Sequence, residues 1–192
     1  LINAGVYVLN PKVFQYIPKG KAVSMEREVF PKLVEIGALY GHVFHGLWMD
    51  IGKPEEYLLA NKILLDSRAN RQKHKIAGKF ESKNPIALDR GVFIGEKSII
   101  GPYAVLGKNV IIGKNVRIAE SVIFQDAKID DFSSINGAII GEGAMIGKKV
   151  RIGKGCIIAD QAKVKDNVSL AEVAVCPAKE VSRNKLKSKI IC

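Results

Sequence analysis

Over the second half of the chain large aliphatic residues recur every six positions, at Leu88, Ile94, Ile100, Leu106, Ile112 and Ile118, and again at Ile140, Ile146, Ile152, Ile158, Val164 and Leu170. Four positions after each stands a small or β-branched residue: Val92, Ser98, Ala104, Val110, Val116 and Val122, then Ala144, Val150, Cys156, Ala162, Val168 and Ala174. Glycine often follows the aliphatic, as at Gly95, Gly107, Gly113, Gly141 and Gly147. Gly91, Asn109, Asn115, Gly143, Gly155 and Asn167 take the third position, and these residue types tolerate positive φ at a tight corner. An internal period outranks local propensity. It predicts short strands joined by corners, three such units closing one triangular coil, with the aliphatic and the small residue both pointing inward. The period slips by one residue between Ile118 and Ile129 and by one more between Ile135 and Ile140, which predicts a bulge or a shortened corner. About five coils result.

The first part of the chain has a different rhythm. Leu1 to Leu9 reads as a strand. Asn10-Pro11 then opens a short helix through Val13, Phe14 and Ile17. Ser24 caps a second helix, MEREVFPKLVEIG, which Pro31 should kink or split and Gly37 should end. Tyr40 to Phe44 reads as a strand. Pro54 starts a third helix, PEEYLLANKILLD, with Glu55 and Glu56 at its positive end and Leu58, Leu59, Ile63 and Leu65 on its buried side. Alternating strands and helices over 1–66 indicate an α/β domain, with too few strands for a complete sheet. The basic stretch SRANRQKHK has no apolar period and reads as a linker or a solvated helical extension over 67–80. The coils are then expected over 81–176 and a basic tail over 177–192.

Composition adds exclusions. With 47% apolar and 26% charged residues the chain is globular in type. The net charge of +11 suggests nucleic acid until it is mapped. Residues 1–66 and 81–175 are nearly balanced, and the excess sits in 67–80, with five basic and no acidic residues, and in 176–192, with five and one. No aromatics are interleaved there to stack bases, so no nucleic-acid partner is expected. No apolar run approaches the ~20 residues that span a bilayer, and no leader pattern opens the chain, so no membrane partner and a cytoplasmic location are expected. Cys156, Cys176 and Cys192 form an odd set without CxxC spacing, which predicts neither a disulfide nor a zinc site.

Three segments, INAGVYVLNPKVF at 2–14, SMEREVFPKLVEIGALYGHVF at 24–44 and GLWMDIGKPEEYLLANKILLD at 46–66, resemble the sugar-1-phosphate nucleotidyltransferases, most closely the mannose-1-phosphate guanylyltransferases. The coils resemble the hexapeptide-repeat, left-handed parallel β-helix that this family carries as its C-terminal domain. The resemblance therefore implies the end of a Rossmann-like α/β catalytic domain followed by an all-β left-handed β-helix, and it is the resemblance, not the spacing, that supplies the handedness. It implies substrates too, a sugar 1-phosphate and a nucleoside triphosphate, with Mg²⁺ as cofactor and mannose and GTP first. Glucose with a thymidylyl, uridylyl or adenylyl donor is the near alternative. A homo-oligomer assembled through the β-helix is expected.

By the same resemblance Asp50 in WMDIGKP matches an aspartate that helps to hold the metal, and its other reading is a turn residue before Gly52 and Pro54. Asn3 matches a position whose amide meets sugar hydroxyls, and Gly5 one where the backbone approaches the sugar; the alternative is a strand end with a bulge. Glu26 matches a carboxylate near the sugar, or else compensates a helix N-terminus. Trp48 reads as packing and Lys53 as an exposed cation at a helix start. No catalytic residue is assigned in this chain. The family's glycine-rich nucleotide loop, second metal aspartate and phosphate-binding lysine belong before Asn3, and the GxGxxG within IGEGAMIGKKVRIGKG follows only from the six-residue period. This chain alone is therefore expected to be inactive.

Two other functional classes compete with this one. An acyltransferase built on such coils uses a histidine base, yet His42, His45 and His74 all precede the repeats. Asn136, Gln125 and Asp126 have two readings, the lining of a site between subunits and solvated polar faces, and the second is preferred. A non-catalytic oligomerisation module is compatible with the leading reading.

Overall fold

The computed structural model describes residues 1–69 and 79–192, so most of the expected linker at 67–80 lies outside the described residues. The chain forms two compact units, Leu1–Trp48 and Met49–Cys192.

The second unit is a parallel β-solenoid. Its coils comprise β1 (Glu81–Ser82), β2 (Ile86–Leu88) and β3 (Phe93–Ile94); β4 (Ile99–Ile100), β5 (Ala104–Leu106) and β6 (Ile111–Ile112); β7 (Arg117–Ala119), β8 (Val122–Ile123) and β9 (Lys128–Ile129). They continue with β10 (Ser134–Asn136), β11 (Ile139–Ile140) and β12 (Met145–Ile146), then β13 (Arg151–Ile152), β14 (Ile157–Ile158) and β15 (Lys163–Val164). A further coil follows in β16 (Ser169–Val175) and β17 (Glu180–Val181), and β18 (Lys185–Ile191) lies against β16.

Every pairing is parallel, and the register stacks like on like. Ile100, Ile118, Ile135, Ile152 and Leu170 form one inward column. Leu106, Ile123, Ile140, Ile158 and Val175 form the second. Ile112, Ile129, Ile146, Val164 and Val181 form the third. All fifteen are at most 4% exposed. The six-residue period is thus a period of burial, each aliphatic filling the prism between the one below and the one above.

The slips are shortened corners. Ile118 and Ile123, like Ile135 and Ile140, are separated by one residue fewer than usual, with Glu120 and Gly137 at the left-handed turn. Both lie at the corner between the first and second columns. A third shortened corner follows Leu170, where Glu172 turns at φ +54° and Val173, not Ala174, points inward. The expected inward placement of Ala174 is corrected by that shift. Gly91, Asn109, Asn115, Gly143, Gly155 and Asn167 all adopt positive φ, as do lysines, Tyr103, Phe132 and Gln161 at equivalent corners.

Two polar devices tie coil to coil. Asp131, Asp160 and Asp166 each accept the backbone N–H of a residue one coil earlier, Lys114, Glu142 and Lys148, at 2.8 Å. Each acceptor sits over the glycine before that residue. A Cβ on Gly147 would stand 2.8 Å from the Asp166 nitrogen and closer still to its Oδ1. Ser98 and Ser133, fully buried, donate to the carbonyls of Gly113 and Gly147 and accept from the N–H groups of Val116 and Val150. Among the described residues no buried side-chain polar atom lacks a partner.

The segment expected as a tail, 177–192, is therefore largely β17 and β18. The β18 pairing returns the end of the chain to Cys176, whose N–H donates to Ile191, and Cys176 and Cys192 form a disulfide with Cα atoms 4.9 Å apart. Reading the thiols as unpaired is corrected here, since the partners meet through strand pairing and not through a local spacing. Cys156 is free and buried.

In the first unit a 3₁₀ helix, Pro11–Tyr16, is capped by Asn10, whose side chain accepts from the Lys12 N–H. A π-helical turn, Met25–Val29, runs into α1 (Phe30–Glu35), so Pro31 splits the expected helix at its first turn, and Gly37 follows its end at φ +66°. Val13, Val29, Phe30 and Leu33 form the small core. The strands expected at 1–9 and 40–44 do not form: no strand among the described residues pairs with either, and Ile2, Val6, Val8 and Phe44 are exposed. An isolated extended segment has no ladder to satisfy its backbone.

Helix α2 (Pro54–Ala69) falls in the second compact unit, although the alternation of strands and helices groups it with 1–66. Its Tyr57 ring stacks near Phe124, Lys62 lies 4.4 Å over the Tyr103 ring, and Leu65 is buried. Leu59, expected inside, is 48% exposed. Among the described residues no helix is long and apolar enough to cross a membrane.

Candidate functional site

Asn3, Gly5 and Glu26 come together in the first unit. Asn3 Oδ1 accepts the Gly5 N–H at 2.8 Å in a side-chain turn, and Gly5 itself adopts a left-handed φ of +72°. The Trp48 indole N–H donates to the carbonyl of Ala4 at 3.1 Å, so Trp48 pins this turn in addition to packing. With its oxygen so held, the Asn3 amide points its nitrogen at Tyr7 Oη, 2.9 Å away, and at Glu26 Oε1, 3.1 Å away.

Tyr7 completes the cluster. Its hydroxyl donates to the same Glu26 oxygen, and its ring packs edge-on against Phe30, with centroids 4.7 Å apart at 72°. The bond to the Glu26 carboxylate raises the Tyr7 pKa above that of a free tyrosine, with desolvation adding to it and the Asn3 amide opposing it. Tyr7 is absent from the residues that the sequence alone singled out. The available signal was spacing, because Asn3, Gly5 and Tyr7 share one face of an extended segment.

The helix N-terminus next to the cluster is capped without Glu26. Ser24 Oγ accepts from the Arg27 N–H, and the reciprocal bond, from the Ser24 N–H, goes to Glu28. This is a capping box with Glu28 as its carboxylate. Glu26 therefore faces Asn3 and Tyr7, and the two readings of its role separate in space.

Asp50 lies in the second unit. Its Oδ1 accepts from the Gly52 N–H at 3.0 Å, the turn geometry that its sequence context permits. Lys53 begins α2 beside Glu56, whose carboxylate accepts the Lys53 N–H at 3.0 Å. Asp50 is a hard oxygen donor of the right kind for a divalent cation, but among the described residues no three His, Cys, Asp or Glu side chains converge as a metal cluster.

On the solenoid, Asp126 accepts from Asn109 across a coil at 2.9 Å, while Gln125 lines an open cleft of about 400 Å³ between α2 and the coils. No histidine lies within 79–192.

Known proteins divide the chain later than its two compact units do, between residues 67 and 82. Residues 82–191 match the family described as the GMPPB C-terminal domain, and residues 1–67 match the nucleotidyl transferase family. Mannose-1-phosphate guanylyltransferase 1 of Arabidopsis thaliana is 32% identical over 190 residues, 99% of this chain and 52% of that protein. Mannose-1-phosphate guanyltransferase of Eremothecium gossypii is 39% identical over the same share of both. That of Saccharomyces cerevisiae is 46% identical over 76 residues, 40% of this chain and 21% of its own length. The chain thus spans about half the length of the first two relatives. Among solved structures, the acetyltransferase domain of PglB from Neisseria gonorrhoeae, in complex with acetyl coenzyme A, aligns with a TM-score of 0.51 at 20% identity, covering 62% of this chain and 60% of that one, a likeness of fold alone. The six-residue burial period, the parallel three-column solenoid and the match over 82–191 place the chain in the family of the GMPPB C-terminal domain, preceded by a segment that matches the nucleotidyl transferase family.

Proposed function

We propose that this chain is the C-terminal part of an enzyme that transfers a nucleotidyl group from a nucleoside triphosphate to a sugar 1-phosphate, with GTP and mannose 1-phosphate giving GDP-mannose and pyrophosphate. An oxygen of the sugar phosphate attacks the α-phosphorus, the bond to the β-phosphate breaks, and pyrophosphate leaves. Little covalent chemistry falls to the protein, which orients the two reactants and neutralises phosphate charge.

One observation carries the reading: Asn3 and Glu26, far apart in sequence, meet at 3.1 Å while Glu28 takes the helix cap. A carboxylate and an amide side by side suit a sugar, because neighbouring hydroxyls donate to the carboxylate and exchange bonds with the amide. Gly5 adds a backbone without a side chain at the same turn. Asp50 would contribute one oxygen to a divalent cation, Mg²⁺ by its hardness, which when bound offsets phosphate charge. In this reading residues 1–66 are the end of a Rossmann-like domain whose neighbouring strands would cover Ile2, Val6, Val8 and Phe44, and the solenoid winds left-handedly. Its relatives' names favour mannose and GTP over glucose with another base. The solenoid serves assembly, with Phe93 and Ile111 adjacent and exposed in one outward column before Lys128 interrupts it.

The test is turnover. A full-length enzyme carrying this chain should release pyrophosphate from GTP and mannose 1-phosphate with Mg²⁺, and the 192-residue chain alone should not. Turnover by the chain alone, or none by the longer enzyme with any sugar 1-phosphate, would overturn the proposal. Light scattering tests assembly, with a monomeric mass as the opposing result.

A further inference from the structure

Beyond the pair of sugar-facing residues, the structure assigns Tyr7 as the positioning residue that sets the orientation of Glu26 toward the sugar. The inference rests on the sugar-binding reading of Asn3 and Glu26.

The argument is one of hydrogen-bond inventory. The Asn3 amide has two N–H donors, and both are in use, one on Tyr7 Oη and one on Glu26 Oε1. Its oxygen already accepts from the Gly5 N–H, and its second lone pair lies 3.1 Å from the Tyr7 hydroxyl, so it is open to a ligand only while that hydroxyl donates to Glu26. The Tyr7 hydroxyl accepts from Asn3 and donates to Glu26, closing a three-membered ring of side chains. Two donors therefore converge on Glu26 Oε1, which fixes the plane of the carboxylate. Oε2 is the oxygen presented to a ligand. A sugar hydroxyl donating to Oε2 and a neighbouring one donating to Asn3 Oδ1 would together read two adjacent carbinol centres. Epimers differ at such a centre, and rejecting the wrong one requires that neither acceptor can swing to follow it.

Tyr7 is suited to hold them because it is itself held. Its ring meets Phe30, 7% exposed in the core of the first unit, so the hydroxyl is referred to the packed helix and not to the exposed turn. Raising the pKa of Tyr7 has the required sign: the phenol stays protonated, and a donor, throughout the neutral range. An ionised tyrosine beside Glu26 would repel it.

The experiment uses the full-length enzyme with Tyr7→Phe, Asn3→Ala, Glu26→Gln and the double variant Tyr7→Phe/Glu26→Gln. Phenylalanine keeps the ring on Phe30 and removes only the hydroxyl. The expected result for Tyr7→Phe is a KM for the sugar 1-phosphate raised roughly tenfold, a reduced preference between C2 epimers, and an unchanged KM for the nucleoside triphosphate and Tm. The double variant should be little worse than Glu26→Gln alone, because Tyr7 acts through Glu26. If Glu26→Gln and Asn3→Ala raise the sugar KM but Tyr7→Phe leaves it and the epimer ratio within twofold, the positioning role is overturned and the sugar site stands. If Tyr7→Phe instead lowers Tm and weakens both substrates alike, its role is structural and the inference is again overturned. If Asn3→Ala and Glu26→Gln leave the sugar KM unchanged, the sugar reading itself fails and the inference falls with it.

Discussion

At the scale of the residue, two kinds of glycine explain why this chain uses so many. Some turn corners at positive φ. Others, such as Gly147, have ordinary backbone angles and are needed for space, because the aspartate of the next coil sits over them and bonds the following N–H. Gly147→Ala should cost about 1–3 kcal/mol, the usual penalty of overpacking against backbone, seen as a lowered midpoint in denaturant. The thiols give a second residue-scale expectation. Cys156 is 1% exposed, and burial pushes its thiol pKa up against the lowering effect of backbone bonds to Val173, Glu172 and Gly153. A thiol reagent should therefore label no cysteine in the native chain, one after unfolding, and three after unfolding with reductant, the remaining two being Cys176 and Cys192. Any rapid labelling of the native chain would contradict both the burial and the disulfide.

At the scale of the element, strands of two or three residues are too short to be stable by themselves, and only stacking into columns makes them so. Each strand offers one side chain to the prism and its neighbour to solvent. Ile146, 1% exposed, and Met145, 45% exposed, stand side by side on β12 with opposite fates. Ile146→Ala should cost about 2–5 kcal/mol and Met145→Ala less than about 0.5, measured by chemical denaturation; comparable losses would refute the inward and outward assignment. The shortened corners show how such a ladder absorbs a missing residue. Because all three occur at the same corner, the columns remain in register above and below, and the loss is confined to the turn.

At the scale of the whole molecule, the solenoid extends through β18, a strand that the charge pattern disguised. The lysines of 177–192 read as a solvated tail, yet β18 runs along the full bend of β16 and is tied there through Cys192. Cys192→Ser should lower stability by roughly 2–4 kcal/mol, chiefly by freeing a loop of the unfolded chain, with a matching fall in Tm under non-reducing conditions only. An equal fall in the presence of reductant would show that the side chain, not the crosslink, matters.

What the sequence determined by itself was whatever depends on short-range periodicity and local chemistry. Inward residues six apart, glycine and asparagine at corners, Asn10 and Ser24 at caps and Gly37 at a helix end were all readable, because each is settled within a few residues along the chain. The triad of Asn3, Tyr7 and Glu26 was legible only in part, since Tyr7 acquires its role from a partner nineteen positions away. Tertiary structure alone decided which carboxylate caps the helix at Ser24, that α2 packs on the solenoid, that Val173 replaces Ala174 inside, and that Cys176 meets Cys192. It also decided against the two expected strands of the first unit. A strand is a property of a pair, and residues 1–9 and 40–44 carry the apolar pattern of strands without a described partner to complete the ladder.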